Sequence, residues 1–545
     1  MDPARFSLFV TAAFFIVALL GMLFHEMWRD EHQAWLVARD AHSIPQVFQN
    51  MRYEGNPALW HLFLFLITRF THDPIFMQAF HLLIACSFIY IFNRYAPIKN
   101  LYKVLFTFGY FPLYEYAVIS RSYSLGILLL FAVCALYKNR SSYYILIGVL
   151  LALLANVTIY AVIVAGGLAG ILLLDYFYYQ EKNNKKLFSL VGGLTIFIIG
   201  AAFSLYQIWP DKDNSFPASY ATQILHLPRW TQVASKLFTT YLYIPQIQEH
   251  FWNTNIYFSE PQLVSNYSLS QWVSHNPEYL WAGIILPLLL FLSAVIIFLR
   301  RPLILLLYAG ITVGLSAIYY YTLLLHSRYC GYLLITLIAC YWLAEYYPEK
   351  KYTKPLYQAS SSLGKRISRP FLTIVLLFNV IGAIVAYTMD LQYKFSSSKE
   401  AALYIRENKL DTLTIAGSTD FAISPLATYL DRKIYYPQMS DYGSFTIWNK
   451  KRMNSLDFPG LVNAIDQFMD KSKPKILLVK DSAPQVTPDG KNFMDMERAM
   501  IAKDLQADLL TKFDAGIVSD EKYYIYMVQR VDSSKVDYSK YIRLY

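Results

Sequence analysis

Residues 6–40 read FSLFVTAAFFIVALLGMLFHEMWRDEHQAWLVARD, an uncharged apolar run followed by a dense group of charges. The run from Phe6 to Leu23 has about the length that a helix needs to cross a bilayer. Charges such as those of Asp30 and Glu31 are costly this close to a membrane unless they lie at its interface and have a function. The stretch therefore predicts a membrane-spanning helix whose end carries candidate functional residues.

The composition of the whole chain also indicates a membrane protein. Of the 545 residues, 56% are hydrophobic and only 16% are charged, whereas soluble domains carry about 25% charged residues. The net charge of +10 does not indicate nucleic-acid binding, because Lys and Arg are concentrated in short loops between apolar runs. The four cysteines lie in or beside apolar segments without a CxxC or zinc spacing, so we predict neither disulfides nor a thiolate metal site.

The apolar runs predict eleven membrane spans. They cover residues 7–25, 75–93, 103–119, 122–137, 142–158, 160–179, 187–207, 279–299, 302–322, 329–346 and 370–388. No small-residue cleavage site follows the first run, which favours a retained helix over a signal peptide. The basic residues of the connecting loops predict a cytoplasmic N-terminus in a bacterial-type inner (plasma) membrane. Because the number of spans is odd, the chain after the last span is expected on the opposite, outer side.

Two domains follow from this arrangement. Residues 1–388 form a transmembrane domain with a first outer loop at 26–74 and a large outer loop at 207–278. Within the first loop, residues 57–70 are apolar but too short to cross a bilayer, so we expect a helix lying along the outer membrane surface. Residues 389–545 are predicted to form a soluble extracytoplasmic domain.

The soluble domain is predicted to have an α/β fold. Short apolar runs predict strands at 412–416, 475–480 and 522–530, and amphipathic patterns predict helices at 398–408 and 458–470. Strands that alternate with helices are typical of a small α/β domain. Gly417 and Ser418 follow the first strand, but no GxGxxG or GK[ST] motif is present, so we expect no nucleotide cofactor.

Two groups of acidic residues lie in the first outer loop. Asp30 and Glu31 are neighbours, and adjacent carboxylates raise one pKa, which suits a general base; a solvated helix cap is the alternative. Glu54 stands in YEGNP, directly before the expected surface helix. It either caps that helix or binds a divalent cation or a substrate hydroxyl.

Two further groups lie at the predicted outer ends of later spans. Glu115 and Arg121 occur in YEYAVISRSYSL, where Arg121 either pairs with Glu115 or clamps a phosphate. His326, Arg328 and Tyr329 occur in HSRY between the ninth and tenth spans. Arg328 offers a second phosphate clamp, and His326 either binds a metal or phosphate oxygen or is a satisfied polar group.

The segments WRDEHQAWLVARD and RYEGNPALWHLFLF resemble the first outer loop of the GT-C superfamily of membrane glycosyltransferases. The similar branch contains the protein O-mannosyltransferases and the aminoarabinose transferases that modify lipid A. The R-x-Y at 121–123 and the RY at 328–329 fit less specifically. The resemblance covers about the first 350 residues and has its sharpest part at 26–70.

The resemblance implies an inverting transfer of a sugar from a polyprenyl-phosphate carrier to an acceptor on the outer membrane face, in cell-envelope glycosylation. The residue that matches the catalytic base of the family is Asp30, and Glu54 matches a residue that helps to bind a metal in some relatives. Asn56 replaces the His or Lys of close relatives, which puts the metal in doubt. A second metal ligand would be one of four histidines: His226, His250, His275 and His326. Arginines would hold the lipid phosphate.

Two other functions stay open from the sequence. A transporter or flippase of lipid-linked glycans would carry ionisable residues at mid-membrane depth and inverted repeats, neither of which is evident. A non-catalytic assembly protein would use its soluble domain to bind partners and would not need Asp30. The sugar and the acceptor, whether a glycan, a lipid or a protein, do not follow from the residues.

Overall fold

The computed structural model describes most of the chain. The described residues are 2–180, 183–214, 227–247, 250–257, 280–322, 326–452, 456–469, 474–482, 486–487, 490, 492–532, 534 and 536–544. The first part of the chain, up to Gln392, is helical, and a sheet domain follows it. The helices of the first part are α1 (Pro3–Phe24), α2 (Arg29–Arg39), α3 (Ile44–Asn50), α4 (Leu59–Thr68), α5 (Ile75–Tyr95), α6 (Asn100–Thr107), α7 (Tyr123–Leu136), α8 (Tyr144–Ala155), α9 (Ile159–Tyr179), α10 (Asn184–Ile208), α11 (Leu227–Phe238), α12 (Leu286–Phe298), α13 (Pro302–Thr322), α14 (Ser327–Ala344) and α15 (Pro355–Gln392).

Seven of the described helices are long and apolar enough to cross a membrane. They are α1, α5, α9, α10, α13, α14 and α15. Large apolar side chains on their surfaces stay exposed, as with Phe9 of α1 and Ile199 of α10, which suits contact with lipid because bilayer tails are as apolar as the side chains. The chain therefore has the character of a membrane protein, and seven of the predicted spans correspond to helices of spanning length.

The other four predicted spans do not form helices of that length. Segment 103–119 is divided between α6 and a π-helical segment, Tyr110–Val118, with a break at Phe108 and Gly109. The predicted spans at 122–137 and 142–158 form the shorter helices α7 and α8, and 279–299 is divided between a π-helical turn, Leu280–Ile285, and α12. Proline in the π-helical segment and at the start of α12 lacks the N–H that a continuous α-helix needs. The count of eleven spans is not confirmed.

The helix that contains the last predicted span begins earlier than that span. Helix α15 starts at Pro355 and runs through Pro370 as one helix of 38 residues. The apolar run begins at residue 370, so the sequence predicts the start of the span there. Pro370 does not end the helix, although a proline inside a helix usually kinks or ends it. The part of α15 before Pro370 is mostly exposed and carries the charges of Lys365, Arg366 and Arg369, so this end extends beyond the apolar part of the helix.

Among the described residues, the C-terminal domain contains an eight-stranded sheet. The strands are β1 (Thr414–Gly417), β2 (Ile434–Tyr436), β3 (Asp441–Gly443), β4 (Lys475–Lys480), β5 (Arg498–Ala502), β6 (Leu505–Phe513), β7 (Tyr523–Arg530) and β8 (Ile542–Arg543), in the order β3-β2-β1-β4-β7-β6-β5-β8. Strand β1 is parallel to both β2 and β4, and β7 is antiparallel to β4. The helices are α16 (Ser398–Glu407), α17 (Asp420–Tyr429) and α18 (Phe458–Phe468). The three predicted strands and two predicted helices are confirmed within a few residues.

The two domains share a packed boundary at α2. Leu36 of α2 is fully buried in the same apolar cluster as Ile423 and Leu426 of α17 and Leu477 of β4. On another side, α2 packs against α4, the short apolar helix expected at residues 57–70. Helix α2 is therefore held from both sides, and this fixes the position of its first turn.

Candidate functional site

Asp30 lies in the first turn of α2 and contacts arginines from two distant segments. Its Oδ2 accepts a hydrogen bond from Arg121 Nη1 at 2.5 Å and lies 2.9 Å from Arg328 Nη2. Arg29 Nε is 3.9 Å from the other oxygen. Burial alone would raise the pKa of Asp30, but the charges of Arg121, Arg328 and Arg29 hold it well below its usual range. Asp30 is therefore ionised at any physiological pH.

The two arginines approach Asp30 from the ends of helices. Arg121 lies in the turn between the π-helical segment and α7, and Arg328 is the second residue of α14. The side chain of Arg328 packs over the rings of Trp28 and Tyr329 at 5.5 and 4.9 Å, and its Nη2 donates to Tyr329 Oη at 3.2 Å. Within the described residues, the buried Nε and Nη1 of Arg328 have no hydrogen-bond partner. A buried donor without a partner costs about 1–3 kcal/mol, so these N–H groups favour an incoming anion.

Glu31 differs from Asp30 in being fully engaged by the protein. Its Oε2 accepts from the backbone N–H of Trp28 at 3.2 Å, which caps the start of α2, and its Oε1 accepts from the N–H of Ser120 at 2.7 Å. His25 Nε2 donates to Oε2 at 3.0 Å. Because the side chain is completely buried and both oxygens are bonded, Glu31 is a capping and bridging residue rather than a candidate base.

A buried charge network that the sequence analysis missed lies next to Glu31. His25 Nδ1 donates to Asp390 Oδ2 at 2.8 Å, and Tyr114 Oη donates to the same oxygen at 3.0 Å. Burial alone would lower the pKa of His25, but the carboxylates of Asp390 and Glu31 raise it well above its ordinary value. The protonated His25 thus ties the end of α1 to α2 and to the end of α15. The only sequence signal was a histidine directly after an apolar run.

Glu54 faces α2 and does not cap α4. Its Oε1 accepts a hydrogen bond from Gln33 Nε2 at 2.6 Å, and α4 begins later, after Ala58 as N-cap. Burial raises the pKa of Glu54 to about 7; the hydrogen bond from Gln33 opposes this rise and the charge of Asp30 adds to it. Arg121 also acts on Glu54 electrostatically. Glu54 therefore belongs to the same charge cluster as Asp30.

Glu115 is placed differently from either sequence-based interpretation. It accepts a hydrogen bond from Tyr110 Oη at 2.8 Å and is almost completely buried in the π-helical segment. The suggested pair between Arg121 and Glu115 is not formed, because Arg121 binds Asp30 instead. Glu115 is close enough to interact electrostatically with Arg121 and Arg328.

The residues suggested for a metal do not form a metal site in the described part of the chain. No group of three or more His, Cys, Asp or Glu side chains suited to a metal ion occurs among those residues. His326 packs edge-on against Tyr329, and its pKa is lowered by burial and by the charge of Arg328. His250 Nε2 bonds to Ser519 Oγ at 2.7 Å, while His226 and His275 lie outside the described residues. Among the described residues, Glu54 therefore belongs to no cluster of three such side chains.

Comparison with known proteins adds no assignment. No family model matches the chain. No curated protein matches it significantly either.

Proposed function

We propose that the chain is an inverting glycosyltransferase that moves a sugar from a polyprenyl-phosphate donor to an acceptor at the outer membrane surface. One observation carries the proposal: Asp30 in the first turn of α2, Arg121 in the turn before α7 and Arg328 at the start of the membrane-length helix α14 meet although they are far apart in the sequence. A carboxylate beside two arginines suits a reaction in which a hydroxyl is deprotonated and a phosphate leaves. The resemblance of 26–70 to the GT-C superfamily points to the same chemistry.

In this proposal the arginines bind the lipid phosphate. Arg328 can donate from Nε or Nη1, neither of which has a partner among the described residues, to a phosphate oxygen while Nη2 stays on Asp30. Arg121 adds a second positive charge, and Tyr329 orients the guanidinium of Arg328. Because charge accumulates on the phosphate as the sugar leaves, fixed cations stabilise the transition state more than the ground state.

Asp30 acts as the general base in this proposal. The acceptor oxygen attacks the anomeric carbon, the bond from that carbon to the phosphate oxygen breaks, and the acceptor proton passes to the carboxylate of Asp30. Before a phosphate binds, the charges of both arginines keep the pKa of Asp30 low and make it a weak base. A bound phosphate shares their charge, which raises the basicity of Asp30 at the moment of transfer. Attack from the side opposite the phosphate inverts the anomeric configuration.

The test is a transfer assay with purified protein in lipid nanodiscs. Labelled polyprenyl-phosphate sugars serve as donors, and a membrane extract supplies acceptors. We expect Asp30→Asn to lower transfer by about 10²–10⁴-fold, the usual contribution of a positioned base, and Arg328→Lys to weaken donor binding because the single ammonium group of Lys cannot hold Asp30 with one nitrogen and a phosphate with another. The control is Asp211→Asn, which removes the exposed pair between Asp211 and Arg52.

Four results would contradict the proposal. Wild-type protein that cleaves no polyprenyl-phosphate sugar is not this enzyme, and movement of the intact donor across a vesicle membrane would identify a flippase. Full transfer by Asp30→Asn would remove the assigned base. A product with retained anomeric configuration would exclude a single in-line displacement.

A further inference from the structure

The soluble domain turns one particular edge of its sheet toward α2. The chain leaves β1 to form β2 on one side and later adds β4 on the other, so the strand order reverses between β1 and β4. In open α/β sheets, ligands bind outside the carboxyl ends of the strands at such a reversal. At this edge Glu521 Oε1 accepts from the backbone N–H of Arg29 at 2.7 Å, and Asp520 pairs with the Arg29 side chain. The usual ligand-binding edge of the fold thus faces the residue next to Asp30.

A segment of the soluble domain also runs along α2. We call residues 444–452 the strap. Both polar atoms of the Gln33 side-chain amide bond to the backbone of Thr446 in the strap. Nε2 donates to Thr446 O at 2.8 Å, and Oε1 accepts from the N–H of Thr446 at 2.9 Å. Gln33 is three residues after Asp30, so both side chains lie on the same face of α2, and Gln33 also binds Glu54. The strap therefore passes beside the charge cluster.

Aromatic rings and guanidinium groups form the wall that the strap and the sheet edge share. Trp448 of the strap stacks with Phe421 at 6.4 Å and an interplanar angle of 24°, and neither ring is fully buried. Arg452 lies over Trp448 at 4.5 Å and is held by Asp420 at 2.6 Å. Arg29 lies over Phe421 at 4.8 Å and thus separates this wall from Asp30.

The wall offers the two kinds of contact that a sugar ring uses. Aromatic rings pack against the C–H face of a sugar, and charged groups bond to its hydroxyls. Two buried polar atoms of the wall, Thr446 Oγ1 and Asp520 Oδ1, have no hydrogen-bond partner in the part of the chain that the structure describes. Such atoms are costly unless a ligand satisfies them. The wall lies on the side of Asp30 that faces the soluble domain. Arg121 approaches Asp30 from the turn before α7, and Arg328 approaches it from the start of α14.

We propose that Phe421 and Trp448 form an acceptor subsite and that the acceptor is a glycan, whose terminal sugar ring stacks there. This inference rests on the proposed glycosyltransferase function. The acceptor hydroxyl then reaches Asp30 beside Arg29, and the donor phosphate lies on the side of Arg121 and Arg328. In this arrangement the soluble domain selects the acceptor, and the helical domain binds the donor.

The test separates acceptor binding from donor chemistry. Purified full-length protein in nanodiscs is given labelled polyprenyl-phosphate sugars with free saccharides, glycolipids or a Ser/Thr-containing peptide as acceptors. Donor hydrolysis without acceptor is measured in parallel. We expect Trp448→Ala and Phe421→Ala to raise the KM for the saccharide or glycolipid acceptor about 10-fold, with donor KM and donor hydrolysis unchanged within about 2-fold. Trp448→Phe should restore the acceptor KM.

Controls and contrary results distinguish the two proposals. Tyr442→Ala removes an exposed aromatic side chain from β3 of the same domain and should change no parameter. An unchanged acceptor KM in Trp448→Ala, or transfer to the peptide but to no glycan, would overturn the subsite while leaving the glycosyltransferase intact. An equal loss of donor hydrolysis in Trp448→Ala would show a structural role for the ring and also overturn it. Absence of donor turnover in the wild type would instead overturn the proposed function.

Discussion

The pH dependence of donor binding gives a sharp test of the charge cluster through Glu54. Arg29 is paired with Asp520, so their charges cancel, and Arg121, Arg328 and Asp30 together carry a net charge of +1. Burial holds the pKa of Glu54 at about 7. Below this pH Glu54 is neutral, and the cluster attracts the single negative charge of a phosphodiester. Above it, the ionised Glu54 brings the four groups to zero net charge. Donor affinity should therefore fall as the pH rises through about 7.

The size of the effect follows from Coulomb's law. A unit charge roughly 8 Å from the phosphate at an effective dielectric constant of about 20 is worth about 2 kcal/mol. Because Glu54 is partly open to solvent, screening reduces this to about 1 kcal/mol, which corresponds to about a fivefold change in affinity. We expect the donor KM to rise about fivefold between pH 6 and pH 8.

The assay is donor KM against pH for the wild type and for Glu54→Gln, with donor hydrolysis as the readout. Glu54→Gln should have a low donor KM that does not change over this range, because its side chain is neutral throughout. Asp30 is already ionised over this range, so kcat should not fall between pH 8 and pH 6. A donor KM that decreases with rising pH, or a slope that persists in Glu54→Gln, would refute the reasoning.

Two further predictions concern the membrane helices. Gly193→Ala should lower the thermal unfolding temperature, because the new Cβ would lie 2.2 Å from the carbonyl oxygen of Tyr144 and would push α8 away from α10. The expected cost in unfolding free energy is about 1–3 kcal/mol. The control is Gly166→Ala, whose new Cβ would have open space around it. In a background without the four native cysteines, Glu407→Cys and Lys350→Cys should react with membrane-impermeant maleimide from opposite sides of sealed vesicles; labelling of both from one side would contradict the predicted topology.

The part of the site that could be predicted from sequence is the part made of charges at the ends of apolar runs. Asp30, Arg121 and Arg328 stood out because charges next to membrane spans are costly, and their joint placement followed from a topology derived from basic loops. Their direct contacts are now visible. The sequence could not separate Asp30 from Glu31, because adjacent letters do not show that one side chain points into the helix cap and the other toward the arginines.

The contacts across the domain boundary could not be predicted at all. Gln33, Thr446 and Trp448 are ordinary polar and aromatic residues, and their roles arise only when the strap is laid along α2. The same holds for His25 and Asp390, which are 365 residues apart. Pairings of this kind depend on tertiary packing, to which hydrophobic periodicity and local motifs are blind. The lengths of α7 and α8 were overestimated for a related reason. An apolar run gives the maximum length of a span, but the turns at either side decide where the helix ends.

The position of α2 between the two domains suggests a role for the C-terminal sheet domain in the proposed enzyme. Eight of the eleven residues of α2 are buried, yet one side chain in its first turn, Asp30, keeps 24% of its surface exposed. A carboxylate that must stay at a fixed distance from two arginines requires a helix that cannot tilt, and burial on opposite faces by α4 and α17 provides this. In the proposed enzyme, the C-terminal sheet domain thus contributes rigidity to Asp30 as well as a wall for the acceptor. If that is correct, separating the domains would remove both functions together, whereas changes in Trp448 would remove only the second.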